Sequence, residues 1–372
     1  MTVLSHVRWG IVGCGAVTEV KSGPAFSKVP ASSLVAVMRR DRDKARDYAE
    51  RHGVPRWYDD AAALIADPDV DAVYIATPPS SHREYALMAI AAGKPVYVEK
   101  PMAIDHAECL AIVEAGRAAG VPVFVAYYRR MLPRFRRIAA MLTEGAVGTP
   151  RLVNVLLHHP FETRYHDPDN LPWTVRPELS GGGIFVDIGC HTLDILDFLL
   201  GPIVDARGMV SNQMAAYPAE DTVAMAFAFG SGVLGTGLWN FCADRREDRV
   251  EIVGDRGRLV FATFGDGPIR LEADGRVEDI LIANPEHIQQ PLIESIVSEL
   301  TGKGVCPSTA ESGARTSWVM DQVKSNNAEG ALCRLGRCNS GTGPHGILRR
   351  PEPLGEPAST ASSGRGATPH RR

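Results

Sequence analysis

The sequence contains no stretch of the roughly 18 to 20 consecutive apolar residues that a membrane span requires. Its start, MTVLSHVRWGIVGCG, runs straight into a strand-like segment without the cleavage site of a signal peptide. No membrane partner is expected, and the reading is of a cytoplasmic protein. The seven cysteines, Cys14, Cys109, Cys190, Cys242, Cys306, Cys333 and Cys338, include no C-x-x-C pair and no cluster with histidine at zinc-ligand spacing. A zinc dehydrogenase is therefore not expected, nor any metal; the thiols fit reduced, mostly core-filling residues. An excess of positive charge is also lacking. The net charge is −4, and since residues 325–372 hold seven Arg and three Glu, residues 1–324 stand at −8. An acidic body without a recognition motif gives nucleic acid no binding surface.

What remains is globular in composition, 45% hydrophobic and 23% charged, in a chain of 372 residues that is too long for one ordinary core. The first part alternates short apolar strands (Val7–Val12, Leu34–Met38, Ala72–Ala76, Pro95–Val98, Pro122–Ala126) with helical stretches (Arg42–His52, Ala61–Ala66, Ser81–Ala92, His106–Ala119). Gly53, Gly93 and Gly120 stand where C-terminal caps belong. That alternation predicts an α/β fold, an N-terminal Rossmann domain with a doubly wound parallel sheet over residues 1–126. From about Arg151 the text is β-rich: 151–158, 203–210, 222–229, 233–241, 249–253, 258–264 and 269–272. Residues 127–323 are read as a C-terminal α+β domain with a large, mostly antiparallel sheet. Helices at 184–200, 288–301 and 311–323 cover part of it, and a partner subunit's sheet covers the rest in a homodimer or homotetramer. Residues 324–372, rich in Gly, Ser, Pro and Arg, read as a disordered tail.

Gly13-Cys14-Gly15-Ala16-Val17-Thr18 follows the first strand directly, where glycines let the backbone approach a dinucleotide pyrophosphate. Thr18 replaces the third glycine of the G-x-G-x-x-G pattern, and Gly23-Pro24 soon interrupts the helix. The second strand ends in Met38-Arg39-Arg40, with Asp41 one step later. An acidic residue there suits the 2′-hydroxyl of NAD(H), whereas guanidinium forks suit a 2′-phosphate. The paired arginines predict NADP(H) in preference to NAD(H).

The segments IATPPSSHREYALMAIAAGKPVYVEKPMA, VAYYRR and GGGIFVDIGCHTLDILD resemble the Gfo/Idh/MocA family, the glucose–fructose oxidoreductase, inositol dehydrogenase and dihydrodiol dehydrogenase group, over residues 7 to about 323. The resemblance implies that Ala76, Thr77, Pro78, Ser81, His82, Glu99 and Lys100 lie along the dinucleotide. It also implies that Lys100, Asp187 and His191 form the catalytic set. Tyr128, Arg129 and Trp173 are candidates for the substrate wall, with Lys100, Asp187 and His191. Close family members carry an Arg directly after that tryptophan; here Thr174 follows, and the next Arg is Arg176.

The residues themselves support this set. Lys100 follows a strand at the carboxyl edge where doubly wound sheets bind ligands. Asp187, His191 and Asp194, spaced i, i+4, i+7, fall on one helical stripe, and Asp187 there would either raise the basicity of the imidazole or bind a second hydroxyl. Histidine exchanges protons near neutrality. The expected activity is hydride transfer between a nicotinamide and a hydroxyl or carbonyl carbon of a sugar, cyclitol or related diol. Two alternatives stay open: a glycosidase-like or lyase-like enzyme using transient ring oxidation by NAD⁺, and a non-catalytic dinucleotide sensor.

Overall fold

The computed structural model describes the backbone of residues 3–334 and side chains as far as Lys324. The first half is strands β1 (Val7–Val12), β2 (Ser32–Met38), β3 (Arg56–Tyr58), β4 (Ala72–Ile75), β5 (Val96–Val98) and β6 (Val123–Val125). They form one six-stranded parallel sheet in the order β3-β2-β1-β4-β5-β6. Five follow the apolar runs, because a parallel sheet covered on both faces buries every side chain of its inner strands. The expected strands overshoot by a residue at Ala76, Pro95, Pro122 and Ala126, and fall short at Ser32.

Helices α1 (Ala16–Val20), α2 (Gly23–Lys28), α3 (Arg42–His52), α4 (Ala61–Ala66), α5 (His82–Ala91) and α6 (His106–Ala119) connect these strands. Gly23-Pro24 is not merely an interruption: Pro24 sits in the first turn of α2, where its missing N–H costs nothing. Asp41 caps α3 by accepting from the Lys44 N–H, and Gly53 ends it with φ of 64°.

The second sheet follows α7 (Pro133–Thr143) and contains β7 (Pro150–Pro160), β8 (Ile203–Ser211), β9 (Thr222–Phe229), β10 (Leu234–Ala243), β11 (Glu247–Gly254), β12 (Gly257–Phe261), β13 (Ile269–Ala273) and β14 (Arg276–Ile280). Its order is β14-β13-β12-β11-β7-β10-β9-β8, antiparallel except where β10 meets β7. Between β7 and β8 lie α8 (Pro177–Ser180) and α9 (Cys190–Leu200). The expected continuous helix 184–200 is instead a π turn, Phe185–Gly189, leading into α9. On the other face Leu152, Val204, Met209 and Leu234 are exposed.

Helices α10 (Gln290–Leu300) and α11 (Ala310–Arg334) close the chain and tie the sheets together. Ser308 donates its hydroxyl to the Val125 carbonyl, and the Val125 N–H donates to the Ser308 carbonyl, so the approach to α11 is fastened to the edge of the first sheet. The backbone of α11 runs past Val323, so the expected tail does not begin at residue 324; residues 335–372 lie outside the described part. No helix among the described residues is long and apolar enough to cross a membrane.

Candidate active site

A cleft of about 1000 Å³ runs along the carboxyl edge of the first sheet. At one end Gly13, Gly15, Ala16 and Val17 form its floor. Gly13 has φ of 93°, and a Cβ there would lie 2.6 Å from Thr77 Cγ2, so glycine is required both for the turn and for the gap. Thr18, which replaces the third glycine, is fully buried; its hydroxyl donates to the Gly15 carbonyl and accepts from the Gly15 N–H. The hydroxyl thus closes the loop onto α1.

Arg39, Arg40 and Asp41 line the same end. The Asp41 carboxylate is already occupied by the Lys44 N–H and by an ion pair with Lys44 Nζ at 2.9 Å, and Lys44 holds its pKa below the ordinary carboxylate value. Arg39 Nη1 reaches the Cys14 carbonyl at 3.3 Å, beside the glycine loop. Ala76, Thr77, Pro78, Ser81 and Glu99 form the middle of the cleft. Glu99 Oε1 accepts from Tyr74 and from Gln289 Nε2, each at 2.6 Å, and Oε2 from the Lys100 N–H. This buried network holds the strand end that carries Lys100 in place.

His82 is placed differently from the expectation. It is fully buried behind the cleft, and its ring nitrogens face the carbonyls of Thr77 at 2.7 Å and Pro101 at 3.0 Å. Its role is to join the two loops, not to line the dinucleotide site.

At the far end Lys100 Nζ donates to Asp187 Oδ1 at 2.6 Å and to the Asp187 carbonyl at 2.9 Å. Burial is the largest single influence and works to lower the lysine pKa, but the charges of Asp187, Cys190 and Glu99 together with the Asp187 hydrogen bond outweigh it, and the net direction is upward. The lysine stays an ammonium. Two of its three N–H groups are taken by Asp187, leaving one without a partner among the described residues.

The expected Asp187–His191–Asp194 stripe is not formed. The π turn at 185–189 changes the angular step just before α9, so Asp187 faces Lys100 and does not pair with the imidazole. Asp194 is buried against Arg130, whose guanidinium also reaches Asp197. His191, 4% exposed, packs between Tyr128 (ring centroids 5.3 Å apart) and Phe264 (5.8 Å), and its Nδ1 has no partner among the described residues. Burial first, then the charges of Arg129, Lys100 and Lys21, carry its pKa well below the ordinary histidine value. The expected increase in basicity from Asp187 is reversed.

Trp173 lines the cleft at 37% exposure. Arg176 does not substitute for an arginine directly after it, because its guanidinium turns to Glu178 on the surface at 2.9 Å. Tyr128 and Arg129 line a second cavity of about 310 Å³ next to the cleft, and Lys21 borders both. Lys21, Tyr85, Arg164 and Leu179 also line the cleft without having been singled out from the sequence.

Comparison with known proteins agrees with this architecture. The family model described as "Oxidoreductase family, NAD-binding Rossmann fold" matches residues 7–127, and that described as "GFO/IDH/MocA C-terminal domain" matches residues 135–260. Oxidoreductase P35 of Formosa agariphila is 40% identical over 85% of this chain and 98% of its own length. The 1,5-anhydro-D-fructose reductase of Ensifer adhaerens is 29% identical over 82% of this chain and 92% of its own. Among solved structures, an oxidoreductase domain protein from Kribbella flavida superposes with a TM-score of 0.79 at 23% identity, covering 88% of this chain and 98% of that one. With both of its sheets matched and its cleft at the sheet edge where the NAD-binding model falls, the chain belongs to the Gfo/Idh/MocA family of oxidoreductases.

Proposed function

We propose that this NAD(P)-dependent oxidoreductase moves hydride between NADP(H), in preference to NAD(H), and a hydroxyl-bearing or carbonyl carbon of a sugar, cyclitol or related diol. The observation that carries the reading is the Lys100–Asp187 pair at one end of a cleft whose other end is the glycine loop. The Gly13 cradle, which a Cβ would fill, and the arginines at the end of β2 fit a dinucleotide phosphate. The engagement of Asp41 with Lys44 supports the 2′-phosphate, since part of its acceptor capacity is taken while Arg39 and Arg40 line the same end of the cleft.

When bound, the nicotinamide supplies or accepts the hydride. The free N–H of Lys100 holds the substrate oxygen and stabilises the negative charge that develops on it during transfer. Asp187 fixes the ammonium and keeps it charged, so lysine acts as an electrostatic anchor and not as the base. His191 is the group assigned to exchange the proton: burial keeps it neutral, the form from which a base starts, and also makes it a weaker base than a free imidazole. One relative's name, 1,5-anhydro-D-fructose reductase, supports a sugar-type substrate. The exposed apolar side chains of β7, β8 and β10 support pairing through the second sheet in a homodimer or homotetramer.

The test is absorbance at the reduced-nicotinamide band with each dinucleotide across a panel of sugars, cyclitols, dicarbonyls and diols. Substrate-dependent change with NADP(H) supports the proposal. Tight dinucleotide binding with no turnover across the whole panel would reject it.

A further inference from the structure

The second cavity presents an imbalance of buried polar groups. Arg129 is 7% exposed, yet among the described residues its guanidinium makes one hydrogen bond, from Nε to the Thr263 carbonyl at 2.9 Å. No carboxylate of the described residues lies within 4.0 Å of it, and Nη1 has no partner. Its flat faces are covered by Phe264 (4.3 Å to the ring centroid) and Tyr128 (4.9 Å), which leaves the edge carrying Nη1 and Nη2 for a ligand. Arg134, 3% exposed, lines the same cavity; its Nη groups donate to the Gly265 and Gly267 carbonyls, and its Nε is unpaired.

A buried cation is strongly unfavourable unless something pairs with it. None of the nearby acids forms an ion pair with Arg129 among the described residues, although the charges of Asp248 and Asp266 act on Arg134. Asp248 accepts the N–H groups of Thr263, Phe264 and Gly265, Glu286 pairs with Lys28, and Asp266 accepts from Asn284. Asn284 leaves its own Oδ1 buried with no partner, an acceptor beside the two unpaired donors. A ligand that satisfies all three offers an anion and a hydroxyl together.

We propose that this cavity is a carboxylate subsite, and that the substrate is a hydroxylated carboxylic acid of the sugar-acid class whose carboxylate seats on the free edge of Arg129 with Lys21 beside it. The inference rests on the oxidoreductase reading and names its substrate class. A guanidinium edge takes a carboxylate as two parallel hydrogen bonds, and since a phosphate can bind the same way the phosphorylated sugar is the competing arm of the test. Lys21 borders both the cavity and the cleft, and the His191 ring touches the two aromatic walls, so the anion seat is adjacent to the reacting end.

The full-length enzyme is assayed with glucuronate and galacturonate against glucose and galactose, with glucose 6-phosphate as a third arm. Calorimetric binding of the same compounds in the presence of NADP⁺ runs in parallel. The uronates are expected to exceed their neutral parents by roughly ten- to a hundredfold in kcat/KM and in affinity. In Arg129→Gln that ratio falls towards one, through KM. Lys21→Gln, an exposed and structurally safe change, lowers it by a smaller factor. Equal use of neutral and acidic sugars, or an undiminished ratio in a folded Arg129→Gln, overturns the subsite and leaves the oxidoreductase intact. Preference for glucose 6-phosphate over both uronates overturns the carboxylate assignment. If nothing is turned over, the oxidoreductase reading fails, and the binding arm alone decides the subsite: uronate affinity lost in Arg129→Gln supports it, and no uronate binding rejects it.

Discussion

His191 gives the proposed mechanism a thermodynamic signature that needs no substrate. Its imidazole is buried and its pKa lies well below the ordinary 6.5, so the folded enzyme keeps it neutral while the unfolded chain protonates it as pH falls. The unfolded state then binds more protons, and stability drops as pH falls below the unfolded value. Each such histidine contributes a slope of about 1.4 kcal/mol per pH unit, and about 2 kcal/mol in total from pH 7 to pH 5 if it stays neutral throughout. Other groups titrate in that window, among them Asp194, which burial pushes up to about 6 and which acts in the opposite sense, and His82, also lowered by burial. A difference measurement removes them. Urea unfolding of the cofactor-free enzyme and of His191→Gln at pH 7 and pH 5 should show the variant losing about 2 kcal/mol less than the wild type over the interval. Whatever His191→Gln costs at pH 7 cancels. Identical losses in the two proteins would mean that the folded imidazole takes up its proton as freely as an exposed one, and the neutral base would have to be abandoned.

Lys100→Met removes the ammonium that holds the substrate oxygen and should lower turnover by about two to four orders of magnitude, with dinucleotide affinity changed by less than about threefold; near-wild-type turnover in steady-state assays would reject its role. Reversing Arg39 and Arg40 to glutamate should weaken NADP(H) by roughly ten- to a hundredfold more than NAD(H), measured by fluorescence titration. An equal loss for both nucleotides would reject the 2′-phosphate contact.

The first sheet was legible because parallel strands covered by helices on both faces must be apolar throughout, and VRWGIV and AVYI carry that requirement openly. Strand β3 was not, since Arg-Trp-Tyr at a sheet edge is short and half-exposed. Strand β14 was hidden by its charges, RVEDI being almost wholly exposed. Helix α7 was missed because Arg134, Arg136 and Arg137 interrupt the text, although Phe135, Ile138 and Met141 keep a buried stripe.

In the site, Lys100 and Asp187 were found from their motif, and the structure brings them together. The direction of His191 was misread for a local reason, since helical spacing assumes 3.6 residues per turn and the π turn at 185–189 breaks that step. The partner of Asp194 is Arg130, 64 residues away, a pairing that no local pattern announces. Lys21 and Arg164 reach the cleft from a loop and a single helical turn without a motif, and only the folded chain shows that the Arg129 Nη1 is buried with no partner among the described residues.

The central claim is net hydride transfer, and the most direct test is stoichiometry: reduced dinucleotide formed, counted against oxidised product formed, in a single closed reaction with an acidic sugar and NADP⁺. The account predicts one reduced dinucleotide for each product. Product accumulating with no net change in the dinucleotide would contradict it and would mean that the cofactor is recycled within each turnover.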